Sequence, residues 1–509
     1  MKAFDDVAWE TITDMTKEWL ELLEYDMVIY RDVGIFLSAQ YSSLQWTDFG
    51  YCNAGTFNAV FRMRFANEYS AIIRFPLPAA TMFPEEKVRN EVSVMQFLLN
   101  KIPIPVPRIF CWGKRQESPS YLGPFIIMDF IDHKQSMSDF LNTPRRQPDQ
   151  LPVLNPDLDL GKLGNLYRQL GNIILSLSTL SFSKIGSLDQ KEGVWEVLHR
   201  PLSYSMNEIV SLGTLPRSKL PTTTYNKASL YFEALAELHI THLRSQRNEA
   251  NIEANIELNT LADDYRRQFV ARFLFRKIAC DQGQREKWIL HENGPFPLWC
   301  DDLRPGNFLV NEAGIIVGVV DWEYTYTAPV EFNYAPPWWL LLCKPESWDR
   351  GLDDWCTEYT KALQTFLEAM KQCEDELVRN GKLRDGQRLS SQMRDSWQSG
   401  DFWIMYAARN NFAFDAIYWK KIDQRFFGPA ACDDQDVWKE RLHLLEPGDV
   451  ELIEEYVKLK LDEKKEEKSE RILAWDADEY TLGWVKKLPE MQRERHERQE
   501  REKEEAGSD

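Results

Sequence analysis

The stretch "LWCDDLRPGN", residues 298–307, decides how the rest of the chain is read. Asp, Pro, Gly and Asn are all turn formers, so in isolation it reads equally well as an ordinary loop. The next sixteen residues change that. "FLVNEAGIIVGVVDWE" is an apolar hairpin with its turn at Asn311 to Gly314, and it carries Asp321 near its end. A hairpin returns its ends close together, so Asn307 and Asp321 are expected to face one another, with Asp302 five residues before the first of them.

The segment upstream supplies a second body. "GTFNAVFRMRF" alternates Phe61, Met63 and Phe65 against Val60, Arg62 and Arg64, and "YSAIIRF" alternates again after a turn, which predicts two antiparallel strands. "FPEEKVRNEVSVMQFLLN" places Pro84 at a first helical position and Glu85 and Glu86 in the first turn, with Val88, Val92, Met95 and Leu99 at helical spacing. "IPIPVP" stops that helix. "PFIIMDFID", residues 124–132, reads as a short buried strand running into a linker. Strand, strand, helix, strand is a small α+β lobe, and residues 135–290 and 348–427 are chiefly helical in pattern.

Phosphoryl transfer needs a carboxylate to orient a hydroxyl, oxygen ligands for Mg²⁺ and cations on the phosphates. Asp302 and Asn307 match the D-x-x-x-x-N spacing of a kinase catalytic loop, Arg304 stands where a cation reaches the transferring phosphate, and Asp321 closes the set. In this order the segments "GTFNAVFRMRF", "AIIRFP", "RNEVSVMQFL", "PFIIMDFID", "LWCDDLRPGNFLV" and "GVVDWEYTYTAPVEFNYAPPWWLLL" resemble the aminoglycoside phosphotransferase-like family, and most of all uncharacterised members from filamentous fungi, over roughly residues 45–430. The resemblance implies a bilobal protein-kinase-like α+β fold, with a small β-rich N-lobe and a large, mainly helical C-lobe. It implies ATP and Mg²⁺ as cofactors and a small-molecule hydroxyl as acceptor. It assigns Asp302 and Arg304 to catalysis and Asn307 and Asp321 to the metal. Arg74 takes the place of the phosphate-contacting strand lysine and Glu91 that of its helix partner. Met128 to Ile131 would hold adenine through backbone groups, and Gly55, with Thr56 to Asn58, would cover the phosphates.

Three departures from the family pattern stand out. The phosphate loop has one glycine, Gly55, in "NAGTFN". Cys300 replaces the histidine two before the aspartate, where a buried packing thiol is expected. Trp322-Glu323 follows Asp321 in place of Phe-Gly, which suits small-molecule kinases. Cys300, the glycine-poor loop and a charged C-terminal tail leave an alternative open, a catalytically weak pseudokinase used as a nucleotide-dependent binding or scaffold protein. "DFG" at Asp48 to Gly50 lies too far upstream for a metal role and reads as a turn. Glu323, Asp415 and Asp423 are candidate acceptor-site acids, and Trp338 or Trp339 a candidate wall for a cationic acceptor.

The domain reading is a helical extension over 1–45, the N-lobe over 46–134, the helical C-lobe over 135–430 and a charged tail over 431–509. The chain of 509 residues carries 61 basic and 80 acidic side chains, a formal charge of −19. That excess of acid argues against nucleic acid as a partner and is compatible with a cationic substrate. No apolar run is long enough for a membrane span, the N-terminus lacks signal-peptide character, and the eight cysteines show no zinc-ligand spacing. A cytoplasmic protein with reduced thiols is the expectation, and oligomeric state is left open.

Overall fold

The computed structural model describes residues 5–144, 150–247, 258–433, 435–464 and 475–506. Parts of the inter-helix run "NTPRRQPDQLPVLNPD" and of the charge run "KLKLDEKKEEKSER" lie outside those ranges.

Five antiparallel strands build the small lobe: β1 (Trp46–Ala54), β2 (Asn58–Phe65), β3 (Ser70–Pro76), β4 (Ile109–Gly113) and β5 (Phe125–Asp129), in the order β1-β2-β3-β5-β4. Alternation sets the register: Phe61, Met63 and Phe65 are buried while Arg62 and Arg64 face away, and Arg74 of β3 pairs with Val60 on one side and Ile126 on the other. The Asp48 to Gly50 segment is strand β1 and not the expected turn, because its backbone pairs with Arg62 to Arg64. β4 was also absent from the sequence reading, its five residues following a proline run that masks their period.

Two helices, α1 (Asp6–Tyr25) and α2 (Met27–Gln40), back the sheet. Asp26 caps α2 by accepting from the amides of Val28 and Ile29, and Tyr30 donates to Phe49 O at 2.6 Å. Gly34 lets α2 approach, since a Cβ there would sit 3.2 Å from the Phe49 ring. The predicted helix α3 (Pro84–Lys101) begins at Pro84 and buries Val88, Glu91, Val92 and Met95.

The large lobe is mainly helical, but residues 135–290 also contain a hairpin the sequence reading passed over, Ser187–Lys191 against Val194–His199. The hairpin and the residue after it pin α3. Arg200 grips Glu86 with two bonds of 2.9 and 2.7 Å, and Asn90 donates to Ser187 Oγ at 3.2 Å. Deeper in the lobe the helices Leu160–Ser178 and Leu352–Arg379 pack closely at Gly171, where a Cβ would lie 2.8 Å from Met370 Sδ.

The C-terminal residues read as a charged tail are in part docked on both lobes. The helix Pro447–Glu463 lies along Leu258–Cys280, with Glu454 on Arg266 at 2.7 Å and the buried Lys460 ammonium donating to the carbonyls of Arg244 and Gln246. Residues 475–488 then strap the two lobes together. Trp475 donates to Ser211 O and Asp476 accepts from the Arg217 amide in the large lobe. Tyr480 donates to Pro76 O at 2.7 Å in the small lobe, and the fully buried Trp484 meets Trp19 edge-on at 6.0 Å. Apolar residues at helical spacing within a charged segment carry this docking; the charge runs concealed them.

Candidate active site

The 298–307 loop leaves strand Phe296–Cys300, makes a tight turn at Pro305–Asn307 and enters strand Phe308–Val310, which pairs with Ile316–Val319. The Val320 amide donates to Asn307 O at 2.9 Å, so the hairpin does return its second end to the first. Asp302 and Asn307 are both buried. The Asn307 amide donates to the Asp302 carbonyl at 2.7 Å and to Asp302 Oδ2 at 3.3 Å, and Arg304 Nε stands 2.9 Å from Asp302 Oδ1. Burial pushes the Asp302 carboxyl up to about 7, with Arg304 opposing the rise. A carboxylate poised there can take a proton from a hydroxyl near neutrality.

Asp301 points the other way. It accepts from Trp299 Nε1 at 2.6 Å and from the Tyr204 amide at 3.3 Å, and it pairs with Arg409 at 3.5 Å. Neighbouring carboxylates on this loop therefore have separate partners, Asp301 with Trp299, Tyr204 and Arg409 and Asp302 with Arg304 and Asn307. Cys300 is buried against Glu323 O, and burial drives its thiol well above the ordinary range, which keeps it protonated and inert.

On the opposite wall Arg74 is 4% exposed and forks between two acids, donating to Glu91 through Nη2 and to Asp321 Oδ1 through Nη1 at 2.6 Å. Asp321 has a left-handed backbone at φ 57°, a conformation costly for a residue with a Cβ. Beside this pair lies a second one that the sequence reading missed. Lys87 of α3 is ion-paired with Glu323 and donates to Asn58 Oδ1 at 2.8 Å, while Asn58 Nδ2 donates to Glu323 Oε2 at 3.0 Å. Burial alone would raise the Glu323 carboxyl; Lys87, with Arg74, holds it below its ordinary value. Helical spacing from Lys87 to Glu91 was the available signal.

Gly55 turns the β1–β2 loop, its amide donating to Asn58 O at 2.8 Å, and no atom lies within 4 Å of where its Cβ would be. Met128 is buried in β5 opposite Ile72, and Ile131 packs on Gly318 while its carbonyl lies 2.8 Å from His133 Nδ1. The three acceptor-site acids are corrected: Glu323 is consumed by Lys87, Asp415 is bound bidentately by Arg272 at 2.5 and 2.7 Å, and Asp423 is held by Arg441 at 3.0 Å. Each is neutralised in place, so none is left to meet a substrate cation.

For Mg²⁺ the donor set is an amide and a carboxylate oxygen, hard ligands of the right kind, on residues the hairpin brings side by side. The Asp321 side chain is 35% exposed, so it is reachable from the cleft, although one oxygen already faces Arg74. Among the described residues no group of three or more His, Cys, Asp and Glu side chains is arranged to hold a metal ion. No helix among them is long and apolar enough to cross a membrane.

A family model described as the phosphotransferase enzyme family matches residues 218–369, the span that contains the loop, the hairpin and Asp321. The resemblance to the phosphotransferase family is shown. Yeast relatives of this phosphotransferase-like chain include altered inheritance of mitochondria protein 9, mitochondrial, from Meyerozyma guilliermondii, at 20% identity over 56% of this chain and 48% of that protein. The same-named protein of Zygosaccharomyces rouxii is 30% identical over 20% of this chain and 16% of its own length. The chain thus spans at most about half the length of these relatives. Among solved structures, an aminoglycoside phosphotransferase APH(4)-Ia in a ternary complex with AMP-PNP and hygromycin B is similar at TM-score 0.36 and 12% identity, covering 75% of this chain and 97% of that one. An ethanolamine kinase of Plasmodium vivax is similar at TM-score 0.35 and 13% identity, covering 84% and 86%. The expected α+β fold, with a small β-rich lobe and a large, mainly helical one, stands. The cytoplasmic expectation does not: the curated relatives are named as mitochondrial proteins.

Proposed function

We propose that this chain transfers the γ-phosphate of ATP to a hydroxyl group of a small molecule. The observation that carries the reading is the loop itself, in which a buried Asp302 is flanked by Arg304 and Asn307 while the hairpin returns Asp321 to the same place. Asp302 orients the acceptor hydroxyl and takes its proton as the new O–P bond forms and the bond between the γ-phosphorus and the β,γ-bridging oxygen breaks, releasing ADP. Arg304 offsets charge on the moving phosphoryl group, and Arg74 steadies the leaving nucleotide. Asn307 and Asp321 would hold Mg²⁺, which neutralises phosphate charge when bound. The naming of the relatives makes mitochondrial extracts the place to seek the acceptor.

The test is incubation of a metabolite extract with ATP and Mg²⁺, read as a mass gain of one phosphate, with the Asp302→Asn protein as control. A product formed equally by the control sinks the reading. Two observations favour the pseudokinase alternative: Arg74 is already held on both sides by carboxylates, and the covering loop has a single glycine. Under that reading ATP binds but no acceptor or water is ever phosphorylated.

A further inference from the structure

A cavity of about 60 Å³ lies in the large lobe against the 298–307 loop. Cys300, Asp301 and Leu303 form part of its wall and Asp302 does not, so it is a place apart from the reacting carboxylate. Trp299, Trp338 and Trp339 give it aromatic surface, and Phe402, Met393 and Leu177 are among its apolar walls. A water-sized sphere needs about 10–15 Å³, which leaves room for a group of roughly four to six non-hydrogen atoms. A largely apolar cavity with a few convergent polar groups is the usual form of a small-molecule site.

The polar side chains on its wall decide what fits. Asp301 is already supplied with donors, by Trp299 Nε1 at 2.6 Å, the Tyr204 amide at 3.3 Å and the Tyr326 hydroxyl at 3.4 Å, with Arg409 Nη1 at 3.5 Å. The Tyr406 hydroxyl is spent on Glu346 at 2.7 Å. Two donors remain. Asn333, on the helical turn Val330–Tyr334, lines the cavity at 7% exposure, and its side-chain nitrogen is buried with no hydrogen-bond partner. Arg409 has its guanidinium carbon 4.5 Å from the centre of the Trp299 ring and 4.7 Å from that of Phe332, and its Nε donates to Met405 O. Beyond that bond and Asp301, its N–H groups have no partner among the described residues. A buried donor left unpaired loses its hydration for nothing, and a bound acceptor oxygen would restore what it lacks.

We propose that this cavity binds a small neutral molecule, or the end of a larger one, whose apolar body lies against the tryptophans and whose carbonyl oxygen accepts from Asn333 and Arg409. Charge selects against the alternatives. A cation would meet the Arg409 guanidinium, so Trp338 and Trp339 line a site that rejects the cationic group expected of them. A carboxylate would set a second anion beside Asp301 with one arginine between them, and a buried charge without its own partner is too costly to hold. A neutral carbonyl uses the free donors and leaves the Asp301–Arg409 pair balanced. No step of this depends on ATP or on phosphate transfer.

The experiment uses four probes of one shape: cyclopentanone, methylenecyclopentane, which lacks the oxygen, cyclopentylamine, a cation near neutrality, and cyclopentanecarboxylate. Each is titrated into the full chain without nucleotide and followed by saturation-transfer NMR. Cyclopentanone is expected to bind with a Kd below about 10 mM and at least about ten-fold more tightly than the other three. Asn333→Leu, which keeps the volume and removes a donor, should cut the preference over methylenecyclopentane at least about three-fold. Ala335→Leu fills the cavity from its wall without changing a polar group and should abolish binding of both neutral probes. Melting curves establish that each variant is folded; should Asn333→Leu not fold, the probe series gives the chemistry and Ala335→Leu the location. Equal binding of the hydrocarbon, tighter binding of the amine or the carboxylate, or an unchanged preference in a folded Asn333→Leu protein overturns the assignment. So does ketone binding that survives Ala335→Leu, or no saturation transfer to cyclopentanone at about 20 mM.

Discussion

The two walls of the cleft handle charge in opposite ways. On one wall Arg74, Lys87, Glu91 and Asn58 of the small lobe and Asp321 and Glu323 of the large lobe bond almost entirely to one another, and α3 is clamped from behind by Arg200 and Ser187. On the other wall Asp302 has Asn307 and Arg304 for partners, and the Arg304 side chain stays 42% exposed. A network closed on itself holds a shape, and charges left partly unmet are the ones able to meet a ligand. Stability effects should therefore concentrate on the first wall and activity effects on the second.

The hardest way to break that contrast is to remove what clamps the small lobe. A chain ending at Lys464 loses the burial of Tyr480, Trp484 and Leu488, and should lose about 5 kcal/mol of stability, at roughly 1.5–3 kcal/mol per large side chain and allowing for a compact unfolded state. Chemical denaturation checks it; an unchanged midpoint would return these residues to the status of a dispensable tail. The docking is also pH-sensitive. Burial pushes Asp478, which caps the last helix through the Thr481 amide, up to about 6. A carboxyl raised on folding gives stability that is complete below its ordinary value near 3.8 and is lost as pH rises through about 6. Asp478→Asn should flatten that loss in melting curves taken between those limits.

Next in size is Asp302→Asn, expected to lower phosphate transfer by about 10³-fold, near 4 kcal/mol of barrier, while Mg²⁺-ATP affinity and melting temperature hold. Its neighbour supplies the contrast: Asp301→Asn should act mainly on stability, because it strips the partner from the half-buried Arg409. If the two variants exchange effects, the roles are reversed. Lys87→Met, on the closed wall, should cost about 3 kcal/mol of stability by leaving Glu323 buried and unpaired. Lys87→Met with Glu323→Leu should recover most of it, measured as a double-mutant cycle. The smallest effect is Cys300→Ala, about 1 kcal/mol of lost packing with transfer retained in the folded protein. Abolished transfer in a folded Cys300→Ala protein would mean that the thiol takes part in the chemistry.

What could be read from residues alone was whatever depends on near neighbours in sequence. The alternation of β2 and β3, the proline start of α3, the spacing from Asp302 to Asn307 and the hairpin that brings back Asp321 are all local, and each lies where the spacing placed it. Arg74 with Glu91 was reachable by family likeness. Tertiary structure decided the rest, because those contacts join residues far apart in the chain with no local pattern to betray them. Lys87 finds Glu323, Tyr204 finds the catalytic loop and Tyr480 finds Pro76 only once the lobes have closed. It also decided which acids were spent: Glu323, Asp415 and Asp423 look as free as Asp302 in the sequence, and a buried arginine or lysine is what separates them. A charge is read from the residue, but whether it is neutralised depends on what folding places beside it, since burial without a partner is too costly to persist.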